Sequence, residues 1–332
     1  INMSKGTLFP TLTALLTILA LFTGACSGSG SQPQAASQSL TTIQTDAKKD
    51  EQPQGESLRD NTPQVLVPSA DGTVTYGNDL ASVDASHAVE GYIMAKYTGS
   101  KDMAKLLITA PGFEKPYQYT FRSNDYETFP LTGGSGTYTL QVMENVEGNQ
   151  YATAFSLEEE FTIKDELTPF LYPNQYINFT SGSKAVAKGA DLASDARTDL
   201  DVVANVYNYV TGNVSYDTEK AGDSQRLKLY LPDPDETLET GKGICFDYAA
   251  LMVTMLRSQR IPARLEIGYA GTVYHAWISA YVDDIGWVDG IIQFTNNTWT
   301  MMDPTFASSG KGDKEIENFI TNPDNYQTIY IY

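Results

Sequence analysis

A change of hydrophobic period near Thr168-Pro169 limits what this chain can fold into more than any other feature. Before it, residues 65–165 read as short alternating runs: EGYIMAKYTG, MAKLLITAPG, YQYTFRS, GTYTLQVMENV and YATAFSLEEEFTI. Turn signals separate them at Pro111-Gly112, Gly133-Gly134-Ser135-Gly136 and Glu147-Gly148-Asn149. Strands at this spacing predict an antiparallel, Ig-like β-sandwich. His87 is the one histidine of that block, with no second ligand or base beside it, and is assigned no role. After the change, Leu200, Val203, Val206, Tyr207 and Val210 fall at three- and four-residue steps, a helix that Gly212 stops. At roughly 150 residues per domain, 332 residues give two folded blocks, 65–165 and 166–332, and an α+β class.

The first 64 residues belong to neither block. Lys5, the apolar run Leu12 to Phe22 and the small residues Thr23, Gly24 and Ala25 follow the order of a secretory signal, residues 1–25. The apolar run is too short for the ~20 residues of a membrane-spanning helix. The TGAC ending resembles a bacterial lipoprotein signal, which implies a lipidated Cys26 and anchorage on the outer face of the cell membrane. Thr23 departs from that pattern, where Leu is usual, and ordinary secretion would leave Cys26 as a free thiol. Residues 26–64, rich in Ser, Gln, Gly and Pro, cannot bury a core and are expected to form a flexible tether. With 41 Asp and Glu against 22 Lys and Arg, the net charge of −19 repels phosphate backbones, so nucleic acid is not an expected partner. Two Cys and two His cannot build a disulfide framework or an all-thiolate zinc site, and no metal or cofactor is expected.

The segment GKGICFDYAALMVTMLRSQRIPAR concentrates the chemistry. Gly241 and Gly243 suggest a flexible approach, preceded by a polar, Pro-bearing loop, LYLPDPDETLE, read as solvated surface. Phe246, Ala249, Ala250, Val253 and Leu256 then define a core helix with Cys245 in its first turn, where unpaired N–H groups and the macrodipole favour a thiolate. Asp247 opposes this as a second negative charge, so a cationic partner is needed, and His275 is the best candidate. His275 is expected near the start of a strand in RLEIGYAGTVYHAWISAYV; the 30 positions from Cys245 let that strand return beside the helix N-terminus. Asp303 precedes Pro304, which ends sheet pairing and fixes the direction of the carboxylate. Nucleophile, base and orienting carboxylate follow in that order.

Gly243-x-Cys245, LRSQRIPAR, Gly268-Tyr269, His275-Ala276-Trp277 and Asp303-Pro304-Thr305 resemble the transglutaminase-like superfamily over roughly residues 200–306. The resemblance implies a papain-like α+β core and the triad Cys245, His275 and Asp303. It also implies acyl transfer through a thioester on peptide or glutamine-type amides, as protease, amidase or transamidase. The substrate would be a peptide or protein at the cell surface. The spacing from His275 to Asp303, 28 positions, exceeds that of compact members. An added hairpin through Trp287 and Ile292 accounts for it and makes Asp289 a rival for the third role. The alternative is a surface binding or assembly module that keeps the fold without turnover.

Overall fold

The computed structural model describes residues 59–283, 285–289, 292–295, 298–301 and 322–332. Cys26, the expected signal segment and Asp303 lie outside them.

The first block is two four-stranded antiparallel sheets. One orders β1 (Thr75–Gly77), β2 (Ala81–Asp84), β3 (Tyr92–Tyr97) and β6 (Glu127–Pro130) in that sequence. The other orders β5 (Tyr117–Thr120), β4 (Ala104–Thr109), β7 (Gly136–Glu147) and β8 (Gln150–Phe161). In β4 each second residue is buried, the alternation expected of strands with one face on a core. Val83 and Ile93 from one sheet and Leu106, Leu140 and Val142 from the other fill the space between. Rings also meet across it, Tyr119 on Phe129 at 4.9 Å. His87 is held on the surface of this block by Asp71 at 2.9 Å and Glu90 at 3.2 Å and stacks on Tyr92.

The second block packs helices on one face of a four-stranded antiparallel sheet. Its helices are α1 (Lys184–Ala193), α2 (Asp199–Asn213), the short α3 (Thr218–Gly222), α4 (Ser224–Leu227) and α5 (Pro234–Thr240), and α6 (Cys245–Ser258). The sheet orders β13 (Gly286–Asp289), β12 (Val273–Val282), β11 (Ala263–Ala270) and β16 (Tyr326–Ile331). Helix α6 is buried almost all round because α1, α2 and α5 cover one side and β11 and β12 the other. Gly189 of α1 sits against the Met255 backbone, where an added Cβ would lie 3.1 Å from a carbonyl oxygen, so the two helices approach closely. Two bridging strands, β9 (Ser215–Tyr216) and β10 (Lys242–Gly243), pair in parallel, and β14 (Ile292–Thr295) with β15 (Thr298–Met301) forms the added hairpin, one strand later than the sequence suggests.

The blocks meet through aromatic rings. Tyr117 of the sandwich contacts Tyr330 at 5.2 Å and Tyr332 at 5.4 Å, and Tyr176 bridges Tyr332 at 4.5 Å to Phe246 at 5.5 Å. Residues 59–64, expected within the tether, lie extended against the second block, where Gln64 N–H donates to Ser258 O at 2.8 Å.

Candidate functional site

Cys245 is the first residue of α6, buried and unbridged. Two expectations about its approach are corrected. The stretch Pro234–Thr240 is a helix, because Asp233 caps it by accepting from Asp235 N and Glu236 N, Pro234 suits its first position, and Gly241 ends it at φ 61°. Gly243 gives rigidity: an added Cβ would stand 2.6 Å from Asp247 Cβ, so its bareness admits the Asp247 side chain over the chain. Asp247 then reaches back to accept the Ile244 N–H at 2.8 Å, half of a capping box that Ile244 cannot reciprocate. Among the described residues nothing accepts from the Cys245 N–H, an orphan donor of the first turn.

The Asp247 carboxylate is fully buried, and the structure supplies its partner. Lys220, itself 5% exposed, places Nζ 3.0 Å from Oδ2, and Tyr230 donates its hydroxyl to Oδ1. Lys220 Nζ also donates to the Tyr230 oxygen at 2.9 Å. The negative charge expected to oppose a thiolate at Cys245 is therefore already paired. Neither Lys220 nor Tyr230 was visible as a partner in the sequence, since Lys220 comes from the short α3 and Tyr230 from irregular chain before α5. Around the thiol stand further phenols. Tyr216 and Tyr274 are both pushed above the usual tyrosine range, by burial first and by neighbouring negative charge that includes Cys245. Tyr230 is pushed up by burial and then by its bond to Asp247.

His275 lies in β12 opposite Gly268 of β11, close to the hairpin end. Helix α6 rises about 20 Å over its length and β11 about 17 Å back to Gly268, so the register returns His275 to the level of the α6 N-terminus. Gly268 must be bare, since a Cβ there would lie 1.9 Å from Gln327 O, and β16 shifts register at this point. Strand alternation puts Tyr274 with Ala276 and Ile278 on the helix-facing side, and His275 with Trp277 and Ser279 on the other. The imidazole, 5% exposed, stacks on Trp277 at 6.2 Å between centroids. On that same face is a carboxylate that sequence reading missed. Glu266 is buried diagonally from His275 and accepts from the Thr328 hydroxyl at 2.7 Å and from the Ser279 hydroxyl. The alternation of Leu265 and Ile267 toward the helix was the available signal.

Asp289 ends β13 opposite Ser279, four residues and so about 13 Å along β12 from His275. Asp303 lies outside the described residues. Among the described residues no group of three or more His, Cys, Asp or Glu could hold a metal ion.

Comparison with known proteins follows the same segment. Residues 186–289 match the family model described as the transglutaminase-like superfamily. The kyphoscoliosis peptidase of Mus musculus is 24% identical over 158 residues, covering 42% of this chain but 23% of its own length. The UPF0252 protein MJ1282 of Methanocaldococcus jannaschii is 25% identical over 253 residues, covering 67% of this chain and 68% of its own. Among solved structures, the periplasmic domain of TgpA from Pseudomonas aeruginosa is similar at 15% identity and a TM-score of 0.32, covering 74% of this chain and 98% of that one.

Proposed function

With residues 186–289 a transglutaminase-like domain, we propose that the protein is an exported, cysteine-dependent acyl-transfer enzyme acting on peptide or glutamine-type amides. The observation that carries this reading is Cys245 at the start of a buried helix, with its own N–H unused among the described residues and the adjacent carboxylate paired with Lys220.

To take the thiol proton His275, whose ring stacks on Trp277 on the sheet face away from α6, must turn toward the α6 N-terminus, and the Cys245 sulfur then attacks the amide carbonyl carbon. The carbonyl oxygen, now an oxyanion, accepts from the Cys245 N–H; removal of such a donor typically costs about 3 to 4 kcal/mol. The tetrahedral intermediate collapses as the imidazolium gives its proton to the leaving nitrogen, and ammonia or an amine departs from a thioester. Water or a second amine then attacks the thioester carbon, losing its proton to His275 and restoring the thiol. Asp303 orients the imidazole, as the family motif implies. Residues 1–25 direct export, and Cys26 carries the lipid that holds the protein at the outer face of the membrane. Among the described residues no helix is long and apolar enough to cross a membrane.

Labelling with a thiol-reactive probe across pH tests the reading. An activated Cys245 labels well below pH 8, and His275→Ala loses that reactivity; an ordinary thiol titration in both proteins would make the domain a binding module. The mass of the mature N-terminus tests the anchor, which an unmodified Cys26 would refute.

A further inference from the structure

We propose that the cleft between the sandwich and the chain leading into α5 is a subsite for an acidic segment of a peptide substrate, a proposal that rests on the acyl-transfer reading above. The cleft has a volume of about 180 Å³ and is lined by Lys105, Gln118, Arg122, Gln175 and Lys228, with Tyr176 and Tyr230 among its walls. In a chain of net charge −19, three cations converge here. None of the three forms an ion pair among the described residues.

Their present bonds go to neutral groups. Arg122 Nη2 donates to Leu229 O at 2.6 Å, Lys228 Nζ donates to Gln225 Oε1 at 2.8 Å, and Lys105 Nζ sits 4.5 Å over the Tyr151 ring. Glu127, beside the cleft, forms no ion pair with them among the described residues. Its oxygens accept from the Arg122 and Ser123 N–H groups at 2.6 and 3.2 Å and from Gln175 Nε2 at 2.7 Å. An entering carboxylate would gain charge-assisted hydrogen bonds without first breaking an ion pair.

Position supplies the second argument. Tyr176 contacts Phe246 at 5.5 Å, and Tyr230 is bonded to Asp247. Both walls therefore rest on the first turn of the helix that Cys245 begins. A peptide with an acidic side chain in the cleft is thereby held against walls that contact the first turn of α6. The mean field of the protein repels acidic ligands, so this local convergence of cations is what would select one.

The test uses the full chain carrying Cys245→Ala, so that binding is read without turnover, and two fluorescein-labelled peptides, Glu-Glu-Gln-Glu-Glu and Gln-Gln-Gln-Gln-Gln. Fluorescence anisotropy is expected to show the acidic peptide binding at least tenfold tighter. Adding Lys105→Glu and Lys228→Glu should abolish that preference while the melting temperature stays unchanged. Equal binding of the two peptides, or a preference that survives the double substitution, overturns the subsite. Turnover of the same peptides by the unsubstituted protein separates the two claims. Acidic binding without acylation sinks the reaction and keeps the subsite, whereas acylation without acidic preference does the reverse.

Discussion

Each end of α6 buries a charge, and the two ends hold it by different means. At the N-terminal end Asp247, fully buried, is matched by a single cation, Lys220, and by the Tyr230 hydroxyl. At the C-terminal end Arg257, 1% exposed, meets no Asp or Glu among the described residues and donates to main-chain oxygens: twice to Ala263 O, and to Tyr172 O and Tyr332 O. Burial alone pulls the guanidinium pKa down to about 9, which still leaves it charged at neutral pH. A cage of carbonyls from three separate segments is a structural rivet: it fixes the α6 end to β11, to β16 and to the chain after the sandwich. A lone ion pair beside a thiol sets the charge that the thiol experiences.

The largest effect should come from the rivet. Arg257→Met leaves buried carbonyls of Ala263, Tyr172 and Tyr332 short of donors and should cost about 3 to 5 kcal/mol in urea unfolding. Arg257→Lys, which keeps the charge but loses the fork, should fall between the two. A loss below about 1 kcal/mol would mean that the carbonyl cage does not distinguish the ends.

Lys220→Met should cost about 3 kcal/mol, because it strands the Asp247 carboxylate in the interior. Unlike the rivet substitution, it should also move chemistry. The uncompensated charge next to Cys245 should shift the pH at which the thiol labels upward. Asp247→Asn added to Lys220→Met should bring that midpoint back. Should the single variant label at the unsubstituted pH, Lys220 has no part in the thiol's environment and the two ends are alike in role.

Alkaline titration sharpens the contrast at lower cost. The N-terminal end is ringed by Tyr176, pushed up to about 12 mainly by burial, and by Tyr216, Tyr230 and Tyr274, all displaced upward. A phenol with a folded pKa above the unfolded value of about 10 contributes stability that is fully present below pH 10 and is lost as pH rises through the folded value. Stability should thus be flat in this respect up to about pH 10 and then fall, by up to about 1.4 kcal/mol per pH unit for each phenol that stays neutral. Absorbance at 295 nm should show those phenols silent at pH 11 in the folded protein. A full count of ionised tyrosines there would contradict their burial.

What the sequence made legible divides along the same helix. The sandwich alternation, the core helix starting at Cys245 and the return of the His275 strand are consequences of local period and chain length, and all three are present. The α1 helix was not legible, because its apolar signal is carried by Ala185, Val186, Gly189 and Ala193, small residues whose value lies in the close approach to Met255. The α5 helix was legible and misread, since Asp233, Pro234 and Gly241 spell both of its ends. The Lys220 pair could not be read at all. A lysine 27 positions before its carboxylate leaves no periodic trace, and only the packing of α3 and the chain before α5 against α6 brings them together.

The smallest effect concerns the strand of chain that arrives from the N-terminal side. Arg59 Nε bonds Asp199 Oδ1 at 2.6 Å, Asn61 Nδ2 donates to Ala196 O at 3.0 Å, and Arg260 Nη1 meets Asp60 Oδ2 at 2.9 Å. These contacts fasten residues 59–64 beside the C-terminal end of α6, about 20 Å from Cys245. Partly exposed ion pairs are worth little, so Arg59→Ala should lower stability by about 1 kcal/mol or less. Cys245 labelling should keep its pH midpoint, because the strap and the thiol sit at opposite ends of a rigid helix. A shifted midpoint in Arg59→Ala would show that the two ends communicate, and the division between a structural end and a chemical end of α6 would fail.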